Sequence, residues 1–398
     1  MRLRILLLIA SALTAGDLLA QAGNVELKDL KVPVAPAFSL LDFSPKAIES
    51  PGTIKAFTVN LVTNAALSGG LPRNFAFEFA PYWFFRHPDM SIYRYYGLGT
   101  VKRQTNAGME SFAFAPKKNI FYGLRSTSLS FGSVFKDSSA ALPVNVNYIG
   151  YALRSNVINV RSGRLDKALA SGIENVNAAL QNVQLVAIAK CGNLEGMERI
   201  DCIGKFIEQS KDSILQSARE RFESIANARP RFSMDVALAS STAFGNNTFS
   251  NHKTYRTGGW VTLAYYQPLV SAAEVNKDIR NLLDSKNYFN AFFLFRTLRE
   301  NATADFKTFA AQTLTDYGGR AELEFARFSL SVESIKRINQ RNKNLNTSRT
   351  VGIVQYRINN NLFLLGTFGK DFGTINNIVS LFGLNWGFGE NALNRRFD

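Results

Sequence analysis

Two cysteines and two histidines in 398 residues are too few for most zinc or iron–sulfur centres, and nothing in the chain calls for a cofactor or a metal. Charged residues are scarce too, at 19% against about 25% in an ordinary soluble domain. Beyond the first two dozen residues no apolar run approaches the ~20 residues that a membrane-spanning helix needs, so a helical membrane protein is excluded. Aromatic residues are plentiful: 32 Phe, 13 Tyr and 3 Trp make up 12% of the chain, a composition that excludes intrinsic disorder. The length does not demand two domains, because one large all-β barrel can absorb it.

Arg2 and Arg4 precede an apolar stretch from Ile5 to Ala15, and Ala20-Gln21-Ala22 forms an A-x-A site before Gly23. Charge, apolar core and small-residue site in that order are the pattern of a secretory signal peptide over residues 1–22. No cysteine follows the site, which excludes lipid anchoring at a new N-terminal cysteine. Cleavage removes Arg2, Arg4 and Asp17 from a chain of formal charge +15 and leaves +14. An exported protein this basic suits anionic lipid or anionic solutes. Its Lys and Arg are spread through the chain without a recognised nucleic-acid motif, so no nucleic-acid partner is expected. The nearest clusters, Lys336 to Lys343 and Arg395-Arg396, read as a solvated loop and a tail.

Residues 23–72 read as a periplasmic or plug-like segment. Pro33, Pro36 and Pro45, with the apolar patch Phe38-Ser39-Leu40-Leu41, point to an extended stretch that docks. Thr53 caps an expected short helix from about Ile54 to Ala66, with Phe57, Leu61 and Val62 on one side and Gly69-Gly70 ending it.

From Phe75 onward the period becomes two, that of a strand whose faces meet different surroundings. Phe75, Phe77 and Phe79 alternate with Ala76, Glu78 and Ala80. Phe232, Met234, Val236 and Leu238 alternate with Ser233, Asp235, Ala237 and Ala239. Phe382, Leu384, Trp386 and Phe388 alternate with Gly383, Asn385, Gly387 and Gly389. Less regular strands are expected at about 111–135, 144–159, 254–267, 287–299, 318–337, 349–358 and 361–370, ten segments in all. A soluble β-sandwich also alternates, but its strands usually run about five or six residues. The expected fold is therefore all-β: an antiparallel outer-membrane barrel of about 10–14 strands over residues 73–398, closed so that every backbone group is paired inside lipid.

Threaded from the periplasm before Phe75, the connections at about 136–143, 244–253, 300–317 and 359–361 fall on the entry side. Those at about 87–110, 160–230, 268–286, 338–348 and 371–376 fall on the far side, which is the longer one, as outer loops usually are. Tyr82, Trp83, Tyr255, Trp260, Tyr265, Tyr266, Tyr288 and Trp386, near segment ends, are expected as interfacial girdles.

The stretch Pro36-Ala37-Phe38-Ser39-Leu40-Leu41 with Ser44-Pro45, followed by Phe75 to Trp83 (FAFEFAPYW), resembles the opening of an uncharacterised family of Bacteroidota outer-membrane β-barrel proteins with porin-like architecture. The resemblance covers mainly residues 33–85. It implies location and architecture, and brings no catalytic residues with it. One departure is the end of the chain: many such barrels finish on an aromatic residue of the last strand, whereas this chain closes with Arg395-Arg396-Phe397-Asp398.

His87 and His252 fall in connections on opposite membrane faces in this threading. Ser250-Asn251-His252 holds the residue types of a hydrolase dyad, but neighbours on a turn rarely orient as nucleophile and base. No carboxylate pair, phosphate loop or nucleophile elbow stands out, and a catalytic function is not expected. Strand parity places Glu78, Asp235, Glu322 and Glu324 on the lumen side together with Arg154, Arg296 and Arg357. Opposite charges there either pair into a structural network or set up a transverse field that screens solutes.

The expected function is an outer-membrane barrel acting as a narrow channel or transporter for small anionic or amphiphilic solutes. The alternatives are a non-conducting barrel in adhesion, envelope organisation or secretion, and an outer-membrane hydrolase. Residues 163–229 switch to a helical period: Leu165, Leu169, Ile173, Val176, Leu180, Val183 and Ala187 form one stripe, and Ile200, Ile203, Ile207, Ile214, Ala218, Phe222 and Ile225 another. An antiparallel helical hairpin follows, with Cys191 and Cys202 flanking its turn and expected as a disulfide in an exported protein. Membrane lipid and lipopolysaccharide are the expected partners of the barrel wall, and a protein partner that of the hairpin.

Overall fold

The computed structural model describes residues 35–42, 46–48, 57–64, 74–84, 93, 96–104, 110–136, 145–195, 197–206, 229–246, 248–270, 287–302, 310–358, 362–372 and 378–388. The signal peptide, Leu180's side chain, residues 207–228 of the second helical stripe, His87 and the C-terminal tail lie outside that set.

A short helix α1 (Pro36–Leu40) precedes strands β1 (Phe57–Asn64), β2 (Asn74–Phe79), β3 (Leu98–Gln104), β4 (Glu110–Lys118), β5 (Ser128–Lys136) and β6 (Val146–Val160). Helix α2 (Gly163–Lys190) follows, then β7 (Phe232–Gly245), β8 (His252–Pro268), β9 (Asn287–Ala302), β10 (Ala310–Phe325), β11 (Phe328–Asn339), β12 (Thr347–Arg357), β13 (Leu362–Lys370) and β14 (Ile378–Phe388). Twelve strands close into one antiparallel barrel: β1 pairs with β14, the order runs down from β14 to β5, and β5 returns through β2 to β1. β3 and β4 form a separate two-stranded sheet in the connection between β2 and β5.

The wall is apolar outside and polar inside. Outward positions carry Ile149, Tyr151, Leu153, Phe293, Phe295, Leu330, Val332, Phe368 and Trp386, all exposed, while their strands bury Arg154, Arg296, Glu333, Thr367 and Asn385 inside. A soluble protein hides its oil and shows its charge; a strand with lipid on one face and a lumen on the other does the reverse. The strands β6 to β12 run from 11 to 17 residues, at or beyond the ~9–11 that a tilted strand needs to cross a bilayer. No described helix is long and apolar enough to cross a membrane.

Three expectations are corrected. Residues 57–64, read as part of a helix over 54–66, form a barrel strand whose register joins the first and last strands. The barrel thus begins at Phe57, not near Phe75. Phe57, Leu61 and Val62 fit a helical face, but Phe57, Val59 and Leu61 alternate with Thr58 and Asn60, which are fully buried inside. The β-branched Thr and Val residues favour that pleated alternative. Second, the single strand expected over 318–337 is a hairpin, β10–β11, turned at Ala326 and Arg327, with Phe325 facing Phe328. Third, 111–135 divides between β4, outside the barrel, and β5 within it.

These changes move the loops. With β1 as the first strand, the connections 65–73, 137–145, 246–251, 303–309, 340–346 and 371–377 lie at one end. The other end carries the start of β1, the end of β14 and the connections 80–127, 161–231, 269–286, 326–327 and 358–361. The long helical insertion stands at this second end, opposite to the side expected. The early change of parity comes from β1, and the turn at 326–327 restores it for the last strands.

Ser162 caps α2, accepting from the Leu165 amide at 3.2 Å. Arg161, just before it, pairs with Asp166 at 2.9 Å and stacks on the Tyr96 and Tyr122 rings, tying the helix base to the 80–127 connection. The stripe Leu165, Leu169, Ile173, Val176, Val183 and Ala187 is buried as expected. Residues 197–206 form a second helix, and Lys190 lies over the Phe206 ring. Ile200, assigned to the second apolar stripe, is instead 63% exposed. Cys191 and Cys202 are joined in a disulfide across the turn.

Candidate functional site

The barrel lumen is occupied by the chain's own N-terminal segment. The apolar patch read as extended is the one-turn helix α1, entirely buried. Its seat is written into the wall as missing side chains: Ala76, Gly132, Gly150 and Ser241 are neighbours in register across β2, β5, β6 and β7. A Cβ at Gly150 would stand 3.3 Å from the Ala37 carbonyl oxygen, and one at Gly132 3.2 Å from the Ala37 Cβ. Glycine here lets the helix lie close against the wall, where a Cβ would fit only tightly.

Apolar packing grips both flanks of the segment. Ala35, Phe38 and Leu41 join Val134, Val146, Tyr148, Val351 and Leu365. Leu40, Ala47 and Ile48 join Trp260, Tyr266, Phe292, Leu298 and Ile335. Trp260, Tyr266, Tyr255 and Tyr288 therefore do not form a girdle. Trp260 and Tyr266 are buried in the lumen, Tyr255 donates to Glu300 and packs at a tilt against the Tyr148 ring, and Tyr288 lies against Arg229. Tyr265 and Trp386 do face outward.

Polar wall groups take up the segment's backbone. Asn60 accepts from the Ala35 amide at 2.7 Å, and Glu333 accepts from the Ala47 and Ile48 amides at 3.1 and 2.8 Å. At the C-terminal end of α1, Arg296 and Arg256 donate to the Ser39 and Leu40 carbonyls at 2.6 and 2.8 Å, where a helix presents unpaired oxygens. Arg320 donates to the Ile48 carbonyl, and Lys46 donates to Gln355 and lies 3.9 Å from Glu322. Burial pulls the Lys46 ammonium down to about 8 despite the opposing pull of Glu322.

Asp42 is the centre of the charged network. Its carboxylate is within 2.7–2.9 Å of Arg256, Arg296 and Arg337. Burial alone would raise its pKa, but the guanidiniums of Arg337, Arg256 and Arg296 outweigh that and hold it well below the usual carboxylate range. Asp316 lies 2.6 Å from Arg296 and 2.8 Å from Arg337, and Glu300 lies 2.7 Å from Arg256. Arg349 joins Glu333 to Asp371 at 3.3 and 2.9 Å. Phe372 covers Arg337, with 3.8 Å between the guanidinium carbon and the ring centroid.

The residues marked in the sequence are distributed along this lumen. Glu78 and Arg154 form a buried pair at 2.6 Å, also joined by Ser128. Asp235 accepts from Asn156 at 2.6 Å. Glu322 and Glu324 both accept from Asn290, and Glu324 takes both nitrogens of Arg229 at 2.6 Å. Arg296 belongs to the Asp42 network. Arg357 stands at the end of β12, half-buried, with one guanidinium nitrogen 3.4 Å from the Ala326 carbonyl.

Arg256, Glu300, Asp316, Arg337, Arg349, Asp42 and Lys46 were not marked. For Glu333 and Arg337 the cause is the hidden turn: if 318–337 is one strand and Glu322 points inward, both residues point outward. Residue 336 onward, read as a solvated loop, begins as the end of β11. Ser250-Asn251-His252 forms no dyad in the described turn, where His252 Nδ1 lies 2.8 Å from the Phe249 carbonyl oxygen.

No family model and no curated protein matches the sequence. Among solved structures, one described as "NanC porin structure in rhombohedral crystal form" matches with a TM-score of 0.31 and 9% identity, over 84% of this chain and 99% of that one. A likeness that slight carries no functional argument.

Proposed function

We propose that the protein is an outer-membrane channel for small anionic solutes, held shut by its own N-terminal segment. One observation carries the reading: the lumen is lined with arginines, and what fills it is not part of the wall. Residues 35–42 and 46–48 are held by contacts with wall side chains, and α1 pairs with no strand. A barrel of twelve strands is wider than the eight that side chains alone can fill, so withdrawing the segment leaves a passage edged by Arg256, Arg296 and Arg337.

An exported chain carries the termini of such a barrel on the periplasmic side. The plug then enters from the periplasm, and the disulfide-tied hairpin stands there too, where a protein partner would meet it. The outward belt faces lipid and, in the outer leaflet, lipopolysaccharide.

The second reading is a barrel that never conducts and serves in envelope organisation or adhesion. The two apolar clusters that grip the plug favour it. Planar-bilayer recording separates the two. Deleting residues 35–48 removes one acid and one base, Asp42 and Lys46, and so leaves the lumen's charge balance unchanged. The channel reading expects the intact protein to be nearly silent and the deletion variant to conduct with anion preference. A deletion variant that inserts, shown by heat-modifiable mobility, but stays silent supports the non-conducting barrel.

A further inference from the structure

The feature that plugging alone does not explain is the chemistry at Asp42. Leu41 ends α1, and Asp42 follows in the left-handed region at φ 53°, the place after a helix that glycine ordinarily takes. An aspartate there accepts a strained backbone, and its carboxylate is received by three guanidiniums. The five ion-paired side chains gathered around it are not neutral without it. Arg256, Arg296 and Arg337 carry three positive charges against the two of Glu300 and Asp316, and Asp42 supplies the missing negative one.

The position of that aspartate matters as much. Arg256, Glu300 and Arg337 sit near the strand ends farthest from the start of β1, with Asp316 opposite Arg337 in register, whereas Lys46 meets Gln355 near the other end of β12. Asp42 therefore lies farther than Lys46 from the end where β1 starts, towards the mouth by which a solute would arrive. The Arg256 Nε finds no acceptor among the described residues, so the receiving site holds one more donor than Asp42 uses.

We propose that Arg256, Arg296 and Arg337 form a binding site for a solute carboxylate bearing one negative charge, and that Asp42 is the internal stand-in occupying it. A carboxylate solute entering from the far mouth competes with Asp42 for the same forks, and winning that competition frees the plug at Asp42. Guanidinium forks match a planar carboxylate better than a spherical halide, so the site prefers acetate to chloride. The inference rests on the channel reading for its purpose, but its test does not require conduction.

The test is chemical rescue of the full mature chain carrying Asp42→Gly, which removes the carboxylate and tolerates the positive φ. Refolded protein is titrated with sodium acetate and, at equal ionic strength, with sodium chloride, and thermal stability is read. The expected result is a saturable stabilisation with an acetate affinity about tenfold tighter than that for chloride, absent from the wild type, whose site is filled. Asp42→Asn, which fills the seat with a neutral amide, should show no acetate response, and Asp42→Gly combined with Arg296→Gln and Arg337→Gln should lose it. If Asp42→Gly refolds only in acetate, the proposal is supported in the same way.

The proposal is overturned if acetate and chloride act alike on Asp42→Gly, if that variant refolds in neither salt, or if the acetate effect survives loss of the two arginines. Acetate binding without conductance in the deletion variant would leave this site standing and remove the channel. Conductance without acetate binding would do the opposite.

Discussion

The pair formed by Glu78 and Arg154 is the cleanest place to test whether the lumen's ions act as a structural network. Glu78 on β2 and Arg154 on β6 reach each other over β5, where the register places only Ser128 and Ser130 between them. Their side chains are 0% and 4% exposed and 2.6 Å apart. At an effective dielectric of about 20 the gross attraction at that distance is about 6 kcal/mol. Desolvating two ions costs several kcal/mol each and cancels most of it.

The net contribution of the pair is therefore small, but either half alone is expensive. Glu78→Gln leaves a buried guanidinium without its counter-charge, and Arg154→Met leaves a buried carboxylate; each should lose about 3–5 kcal/mol. The double variant should recover most of that loss, giving a coupling of at least about 2 kcal/mol. Equilibrium urea unfolding in lipid vesicles, followed by tryptophan fluorescence, measures all four states. Additive losses, with a coupling under about 0.5 kcal/mol, would show that the two charges do not meet and that the inward parity of β2 and β6 is wrong.

Ala326 occupies the first position of the two-residue β10–β11 turn at φ 49°, so Ala326→Gly should stabilise the barrel by about 0.5–1 kcal/mol in the same unfolding assay, and an unchanged or lower midpoint would contradict the turn. The depressed carboxyl of Asp42 contributes stability that is fully present above its ordinary value of 3.8 and is lost as pH falls below it towards the folded value. Conductance of the intact protein should accordingly stay low from neutral pH to about 4 and rise only in stronger acid; an opening centred near pH 6 would contradict this. An epitope inserted at 193–196, beside the Cys191–Cys202 disulfide, should be reached by antibody only after the outer membrane is permeabilised, and surface staining of intact cells would invert the orientation.

Much of the wall was legible because a lipid-facing strand writes its pattern in large letters. Phe232 to Leu238 and Phe382 to Trp386 alternate against small or polar residues, and both stretches face as that alternation requires. Helix α2 and the disulfide after it were legible for a like reason, since a 3.6-residue stripe interrupts a two-residue one. What escaped notice lay where local signals were weak. Phe325-Ala326-Arg327-Phe328 turns without the Gly or Asn that announces a tight hairpin, and a turn missed inside one strand inverts every inward and outward assignment in the rest of that strand. That inversion hid Arg337 and Glu333. β1 escaped because eight residues can satisfy a helical face and a strand face together, and only its pairing with β14 decides between them. Asp42 could not be found from its neighbours at all: its three partners lie more than 200 residues away along the chain.

The central claim is that residues 35–42 and 46–48 fill the lumen, and a designed cross-link tests it most directly. A Cβ at Gly150 would lie 3.6 Å from the Ala37 Cβ, within the ~3.5–4.5 Å that a disulfide spans. In membranes carrying Ala37→Cys with Gly150→Cys, non-reducing peptide mapping should find these two positions joined, beside the native Cys191–Cys202 bond. If both new thiols instead remain free and react with a water-soluble maleimide, the N-terminal segment is not in the barrel, and the plugged lumen is wrong.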